Sequence, residues 1–178
     1  MRTLKIPALR ISIAMCVLLS VYEGCASAQG ALVASIGKVY GGSAQISSGT
    51  WAVAIGGAGA HSIGSELEFS RIGHFTDQTG QESKIYSLMA SVYVAVPIHS
   101  VRPYGIFGYG FVRQRTAAST GALLSNLSNN DVGYSAGGGV TYKFSRGAGV
   151  RADLRHFKVR KANGLSFQRF MVGIVLGG

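Results

Sequence analysis

The stretch Ser166–Gly177 reads SFQRFMVGIVLG. Phe170, Val172, Ile174 and Leu176 fall on one parity; Arg169, Met171, Gly173, Val175 and Gly177 fall on the other. A β-strand sends successive side chains to opposite faces, so this run specifies a strand with one apolar face and one small or polar face. Asp131–Phe144, DVGYSAGGGVTYKF, repeats the pattern. Val132, Tyr134, Ala136, Val140, Tyr142 and Phe144 stand against Asp131, Gly133, Ser135, Gly137, Gly139, Thr141 and Lys143.

Working outward, the same alternation predicts eight strands, at about 31–40, 50–59, 63–72, 84–96, 103–114, 131–144, 148–160 and 165–177. The connectors alternate too. Gly41–Gly49, Gly73–Ser83 and Arg115–Asn130 are longer and polar, with a short link at 161–164. Tight turns lie near His61-Ser62, Pro97–Arg102 and Ser145–Gly147. Longer loops on one side and short turns on the other describe an up-and-down antiparallel meander.

Composition narrows the setting. Charged residues make up 13% of the 178, against roughly 25% in an average globular chain. Glycine is high, at 26 residues, and apolar content is 47%, which excludes a disordered chain. The 17 Lys and Arg against 7 Asp and Glu leave a formal charge of +10.

The first 28 residues read as a cleaved secretory signal peptide, which leaves 29–178 as a single β-barrel domain. Arg2, Lys5 and Arg10 form a positive n-region, Ile11–Tyr22 an apolar h-region, and Ala26-Ser27-Ala28 an A-x-A cleavage site. The apolar run is too short to span a membrane as a helix. Tyr22-Glu23-Gly24 is a poor lead-in for lipid attachment at Cys25. Both cysteines, Cys16 and Cys25, leave with the leader, so no disulfide, thiolate metal site or cysteine nucleophile is expected afterwards.

Sidedness then decides the compartment. The face opposite the apolar one is short of charge and rich in glycine and serine, which suits the crowded interior of a narrow barrel. The apolar face is assigned the aromatics Trp51, Tyr86, Phe107, Tyr109, Phe111, Tyr134, Tyr142, Phe144, Phe167 and Phe170. Aromatics near strand ends suit the two girdles of a membrane interface. Only helices and closed barrels leave no backbone group unpaired in lipid. Export together with eight alternating strands points to an all-β, eight-stranded antiparallel transmembrane barrel of the bacterial outer membrane.

The sequence resembles the small outer-membrane β-barrel proteins with an OmpA-like or OmpX-like eight-stranded domain. The resemblance is carried by RPYGIFGYGFVR (102–113), DVGYSAGGGVTYKF (131–144), GVRADLRHFKV (149–159) and FQRFMVGIVLG (167–177). It implies termini facing the periplasm, loops 41–49, 73–83, 115–130 and 161–164 facing outward, and insertion by the barrel assembly machinery. Barrels of this family usually end in an aromatic residue, where this chain has Leu176-Gly177-Gly178. The implied role is structural or adhesive, without an open pore.

Two groups of residues are candidates for function. Glu66 and Glu68 share the inward parity, as do Arg151, Asp153, Arg155 and Arg169. An eight-stranded interior is only wide enough to be filled by side chains. Unpaired charges there are costly, so a mutually paired lumen network is expected. The second group, Arg113, Arg115, Lys158, Arg160 and Lys161, ends the fifth and seventh strands at the outer rim. Lipopolysaccharide phosphates lie at that level and pair well with Arg and Lys.

Rival readings stay open at this stage. Some barrels of this architecture deacylate lipid A with a His, a Ser two residues later on one strand, and an acid. Here His156 is followed at that spacing by Lys158, and the nearest downstream serine is Ser166. A palmitoyl-transferring barrel is a related alternative with no motif present. A narrow solute channel requires a continuous wet lumen. A soluble secreted barrel holding an apolar ligand requires Phe170, Ile174, Tyr134 and Tyr142 to point inward. His61, His74, His99 and His156 show no ligand spacing, so neither a metal nor a cofactor is expected. Gly56-Gly57 and Gly137–Gly139 lack the Lys-Ser/Thr and the helix of a phosphate loop. Nucleic acid is not an expected partner of an exported, aromatic, alternating chain.

Overall fold

A computed structural model describes residues 29–41, 47–58, 62–76, 82–116, 129–160 and 166–177. It contains eight strands: β1 (Gln29–Tyr40), β2 (Ser47–Ala58), β3 (Ile63–Thr76), β4 (Glu82–Ala95), β5 (Val101–Thr116), β6 (Asn129–Lys143), β7 (Ala148–Val159) and β8 (Ser166–Gly177). Each pairs antiparallel with the next, and β1 pairs with β8 to close the ring. Closure leaves no strand edge, the condition a sheet must meet in lipid. The expected leader, 1–28, lies outside the described residues.

All eight expected strands are present. The main change is that several run further toward the long-loop end. β3 continues to Thr76 through an irregularity between Ile72 and Phe75, and β4 begins at Glu82. A bulge of this kind adds twist at a rim without ending the ladder. The strands are 12 to 16 residues long, more than the ~9–11 that cross a bilayer at a tilt. Their length therefore exceeds what the hydrocarbon layer requires. At the opposite end, the termini end, β4 turns into β5 through His99-Ser100. Ile98 and Val101 exchange backbone hydrogen bonds there, and His99 has φ 55°. Positive φ is what a two-residue hairpin loop demands, because its twist must match that of the strands.

The outward face is the apolar one. Phe170, Ile174 and Tyr142 are 45%, 55% and 48% exposed, and Tyr134 shares their outward parity, directly across from exposed Tyr109. The soluble-barrel reading required all four to point inward, so it is overturned. Phe167 is a correction: it is 2% exposed and lies inside the barrel. Its parity is that of Arg169 and Met171, and parity rather than residue type decides the face of a strand residue.

The interior also differs from the small, polar filling expected. At the long-loop end Val39, Ile72, Ile85, Met89, Val112, Phe157, Val159 and Phe167 form an apolar plug. Polar groups fill the middle, and a cavity occupies the termini end.

Candidate functional site

The polar middle is a belt built from strands on opposite walls. Glu66 and Glu68 come from β3; Arg151, Asp153 and Arg155 come from β7; Arg169 comes from β8. On β3 and β7 the belt's charged residues sit two apart, and on β8 Arg169 has the parity of buried Phe167 and Met171, so alternation aims them all inward. Arg151 donates from Nη1 to Glu66 Oε2 at 2.6 Å, and Arg155 donates from Nη2 to Glu66 Oε1 at 2.9 Å. Arg155 also donates from Nε to Asp153 Oδ1 at 3.1 Å, and its Nη1 lies 3.2 Å from Glu68 Oε2. Arg169 meets Glu68 Oε1 at 2.7 Å and donates to Ser70 Oγ at 3.0 Å.

The belt holds three carboxylates and three guanidiniums. Arg155 and Arg169, 1% and 0% exposed, are among its most enclosed members. Isolated charges so buried would each cost several kcal/mol, and reciprocal pairing is what makes the arrangement tenable. Three partners carry no charge and were not singled out in the sequence. Tyr104 accepts from Arg151 Nε at 2.5 Å and donates to Asp153 Oδ2 at 3.3 Å. Ser70 and Ser87 share a hydrogen bond of 2.6 Å. Their signal was present, since Tyr104 has the parity of Ile106 and Ser87 that of Met89.

Glycine makes room for the belt. A Cβ on Gly139, which pairs with Asp153, would fall 2.5 Å from the Tyr104 hydroxyl oxygen. A Cβ on Gly137, which pairs with Arg155, would fall 2.7 Å from the Arg155 Cα. The Gly137–Gly139 run thus thins the wall where the largest inward side chains pack. Above the belt the plug begins at once: Arg169 lies 4.6 Å from the Phe157 ring centroid, and Phe157 stacks on Phe167 at 5.0 Å.

The second candidate region is the outer rim. Arg113, Lys158 and Arg160 are exposed on the outward face. Arg115 belongs to β5, opposite Lys84, but its side chain lies outside the described residues, as does Lys161. The structure adds three outward bases that the sequence reading passed over: Lys38, Arg71 and Lys84, near the outer ends of β1, β3 and β4. Arg71 stands between Trp51 and Tyr86 in the cross-strand register, and Tyr86 pairs next with Arg113. The Arg71 guanidinium carbon is 5.8 Å from the Tyr86 ring centroid. Alternating aromatic and cationic side chains of this kind suit a membrane interface. Of the described carboxylates, Glu66, Glu68, Asp131 and Asp153 have inward parity, and Glu82, at the start of β4, has the outward parity of Lys84.

His156 is exposed on the outward face. Its direct cross-strand neighbours are Ala136 and Gln168, and Lys158 pairs with Ser166. Ser166 therefore shares the face of His156 at a diagonal position, but no carboxylate stands beside the imidazole in the register.

The chain matches the family model of the outer membrane protein beta-barrel domain over residues 14–176. No curated protein matches it in sequence. Among solved structures it resembles Neisserial surface protein A (NspA), at 15% identity and a TM-score of 0.68, covering 83% of this chain and 96% of that one. Ail, the attachment invasion locus protein of Yersinia pestis, aligns at 12% identity and 0.61, covering 85% and 99%. The outer membrane enzyme PagL aligns at 12% identity and 0.52, covering 82% and 98%. At such identities the shared property is the fold. The extent of the family match, together with the closed eight-stranded ring and its apolar outer wall, makes this chain a member of the outer membrane protein β-barrel domain family, a barrel of the bacterial outer membrane.

Proposed function

We propose that the protein is a non-enzymatic structural barrel that strengthens the envelope by gripping lipopolysaccharide at its outer rim. In this reading the leader 1–28 is removed on export, the barrel assembly machinery inserts the chain, and the long-loop end faces outward. The observation that carries it is the excess of cations at the rim: Lys38, Arg71, Lys84, Arg113, Lys158 and Arg160 all face outward, against Glu82 as the one carboxylate of that parity among the described residues. A ring of cations at the height of the outer leaflet's phosphates attracts them, and guanidiniums bind phosphate in two-pronged fashion. The paired belt and the apolar plug support the absence of an open pore. Ala136 and Gln168 beside His156, with Lys158 at the following outward position, support the absence of ester chemistry.

The test is the lipopolysaccharide retained by protein extracted from outer membranes in mild detergent. Arg113→Gln, Lys158→Gln and Arg160→Gln together are expected to lower that load several-fold while heat-modifiable migration on gels persists. An unchanged load would overturn the reading, and release of fatty acid from lipid A by the wild type would overturn its non-enzymatic part. An adhesive role is the second reading, favoured by the same rim, which would also meet a polyanionic surface outside the cell. Cell-binding assays with the same triple variant separate the two.

A further inference from the structure

We infer that the outward face of β2, β3 and β4 is a seat for one phosphorylated glycolipid, the lipid A end of lipopolysaccharide. The inference rests on the lipopolysaccharide reading above. It adds a defined place, on the wall opposite Lys158 and Arg160, and a contact for each part of the lipid.

The face is tiered. From the long-loop end downward, the outward residues of β3 are Arg71, Phe69 and Leu67, and those of β4 are Lys84, Tyr86 and Leu88. Beside them β2 presents Trp51 and then Val53. Cation, ring and aliphatic chain thus follow one another on adjacent strands. Outward neighbours on a strand are about 6.6–6.8 Å apart, so roughly 13 Å separates the cations from the aliphatic tier. An amphiphile with a phosphate, then a sugar, then acyl chains has its parts in the same order. The order is not general around the ring. On β7, His156 and Leu154 come below Lys158, and on β1, Lys38 lies below Tyr40 and directly above Ile36.

The rings form one surface. The Trp51 and Phe69 centroids lie 5.8 Å apart, and those of Phe69 and Tyr86 6.5 Å. Trp51 and Phe69 are each 41% exposed, so the patch is open to an occupant. The C–H groups on one side of a pyranose are slightly positive and pack on the electron-rich faces of aromatic rings. The glycerol backbone of a phospholipid offers no such flat side.

Arg71 supplies the phosphate contact. It is half-buried, and among the described residues no carboxylate or other acceptor takes a hydrogen bond from its guanidinium, which lies against Tyr86. A guanidinium over a ring keeps its N–H edge for an acceptor, and that fork fits two phosphate oxygens. Lys84 occupies the diagonal position on β4, about 7–8 Å away at the backbone and within reach of the same group. Glu82 follows Lys84 at the next outward position, so Lys84 is a supporting contact and Arg71 the main one.

Trp51 is the one tryptophan of the chain, so its fluorescence reports this seat. The experiment titrates the barrel, purified free of lipid in neutral detergent, with detergent-dispersed lipopolysaccharide and, in parallel, with phosphatidylglycerol. Native mass spectrometry counts the lipopolysaccharide retained. A saturable change in Trp51 emission with lipopolysaccharide is expected, weakened about tenfold by Arg71→Gln, less so by Phe69→Leu, and unmoved by Lys158→Gln. Phosphatidylglycerol is expected to bind far more weakly. Both seat variants are checked for heat-modifiable migration. Lipopolysaccharide retained while Trp51 stays silent, or equal titrations of wild type and folded Arg71→Gln, overturns this seat and leaves the rim reading standing. Phosphatidylglycerol binding as tightly as lipopolysaccharide overturns the assignment to a glycolipid. No lipopolysaccharide retained by the wild type overturns the seat and the rim reading together.

Discussion

Inside the wall, at mid-height, three carboxylates meet three guanidiniums and every charge has a partner within reach. Outside the same wall, at the long-loop end, six cations stand on a face where Glu82 is the one carboxylate of that parity among the described residues. The two regions use the same residue types on the same strands, sometimes within a few residues: Arg155 points in and Lys158 points out. The difference teaches what each set is for. Charge buried among side chains must balance within the chain, because nothing else is present to balance it. Charge left in excess on a surface is free to be balanced by something else. Neutrality fits the belt to a bracing role, and the excess of cations is what the proposed lipopolysaccharide contact rests on.

The comparison breaks most readily at its buried side. Arg155→Leu removes the cation that bridges Glu66, Glu68 and Asp153, and is expected to cost about 3–5 kcal/mol. The readouts are loss of heat-modifiable migration and a lower urea midpoint, followed by the fluorescence of Trp51, the one tryptophan in the chain. A variant as stable as wild type would mean that the belt does not brace the barrel. Phe157→Ala opens the plug above it and is expected to cost about 3 kcal/mol, yet to stay silent in planar bilayers because the belt still fills the lumen. Steady conductance through that variant would show the plug to be the seal. Gly139→Ala presses a methyl group on the Tyr104 hydroxyl, with an expected cost of about 1–3 kcal/mol; a stability equal to wild type would show that the wall has slack there. The smallest effect on stability belongs to Lys158→Gln with Arg160→Gln. Unfolding should be unchanged while retained lipopolysaccharide falls, and the fall should be steeper at low salt, where screening is weakest.

The belt was legible in the sequence because alternation is strict. Once Phe170 is placed outside, Arg169 has to be inside, and the same count puts Glu66, Glu68, Arg151, Asp153 and Arg155 there. Phe167 was misplaced by taking its aromatic ring as a guide instead of its position two residues before Arg169. The apolar plug was missed for a similar reason: a polar interior was assumed along the whole lumen, although Val39, Ile85 and Phe157 carry inward parity. Lys38, Arg71 and Lys84 were not grouped with the rim because they lie far apart in the chain. Only the ring brings them to one height, and alternation alone ends β3 at Ile72, beside Arg71, where the bulge carries it on to Thr76. The cavity at the termini end had no sequence signal, since it depends on how β4, β5 and β6 place Tyr93, Arg102 and Lys143 together.

The seam between β1 and β8 carries a consequence for how the molecule comes into being. Seven of the eight pairings join strands consecutive in sequence, and each can form with its own turn. The eighth joins the first strand to the last, with Lys38 opposite Phe170 and Val33 opposite Val175. Bringing those ends together costs the loop entropy of nearly the whole chain, and contacts so distant in sequence are slow to form. Until they form, two strand edges stand open in a medium that cannot satisfy them. Assembly is therefore completed by one late event, because a barrel seven-eighths zipped still carries two unpaired edges that lipid cannot satisfy.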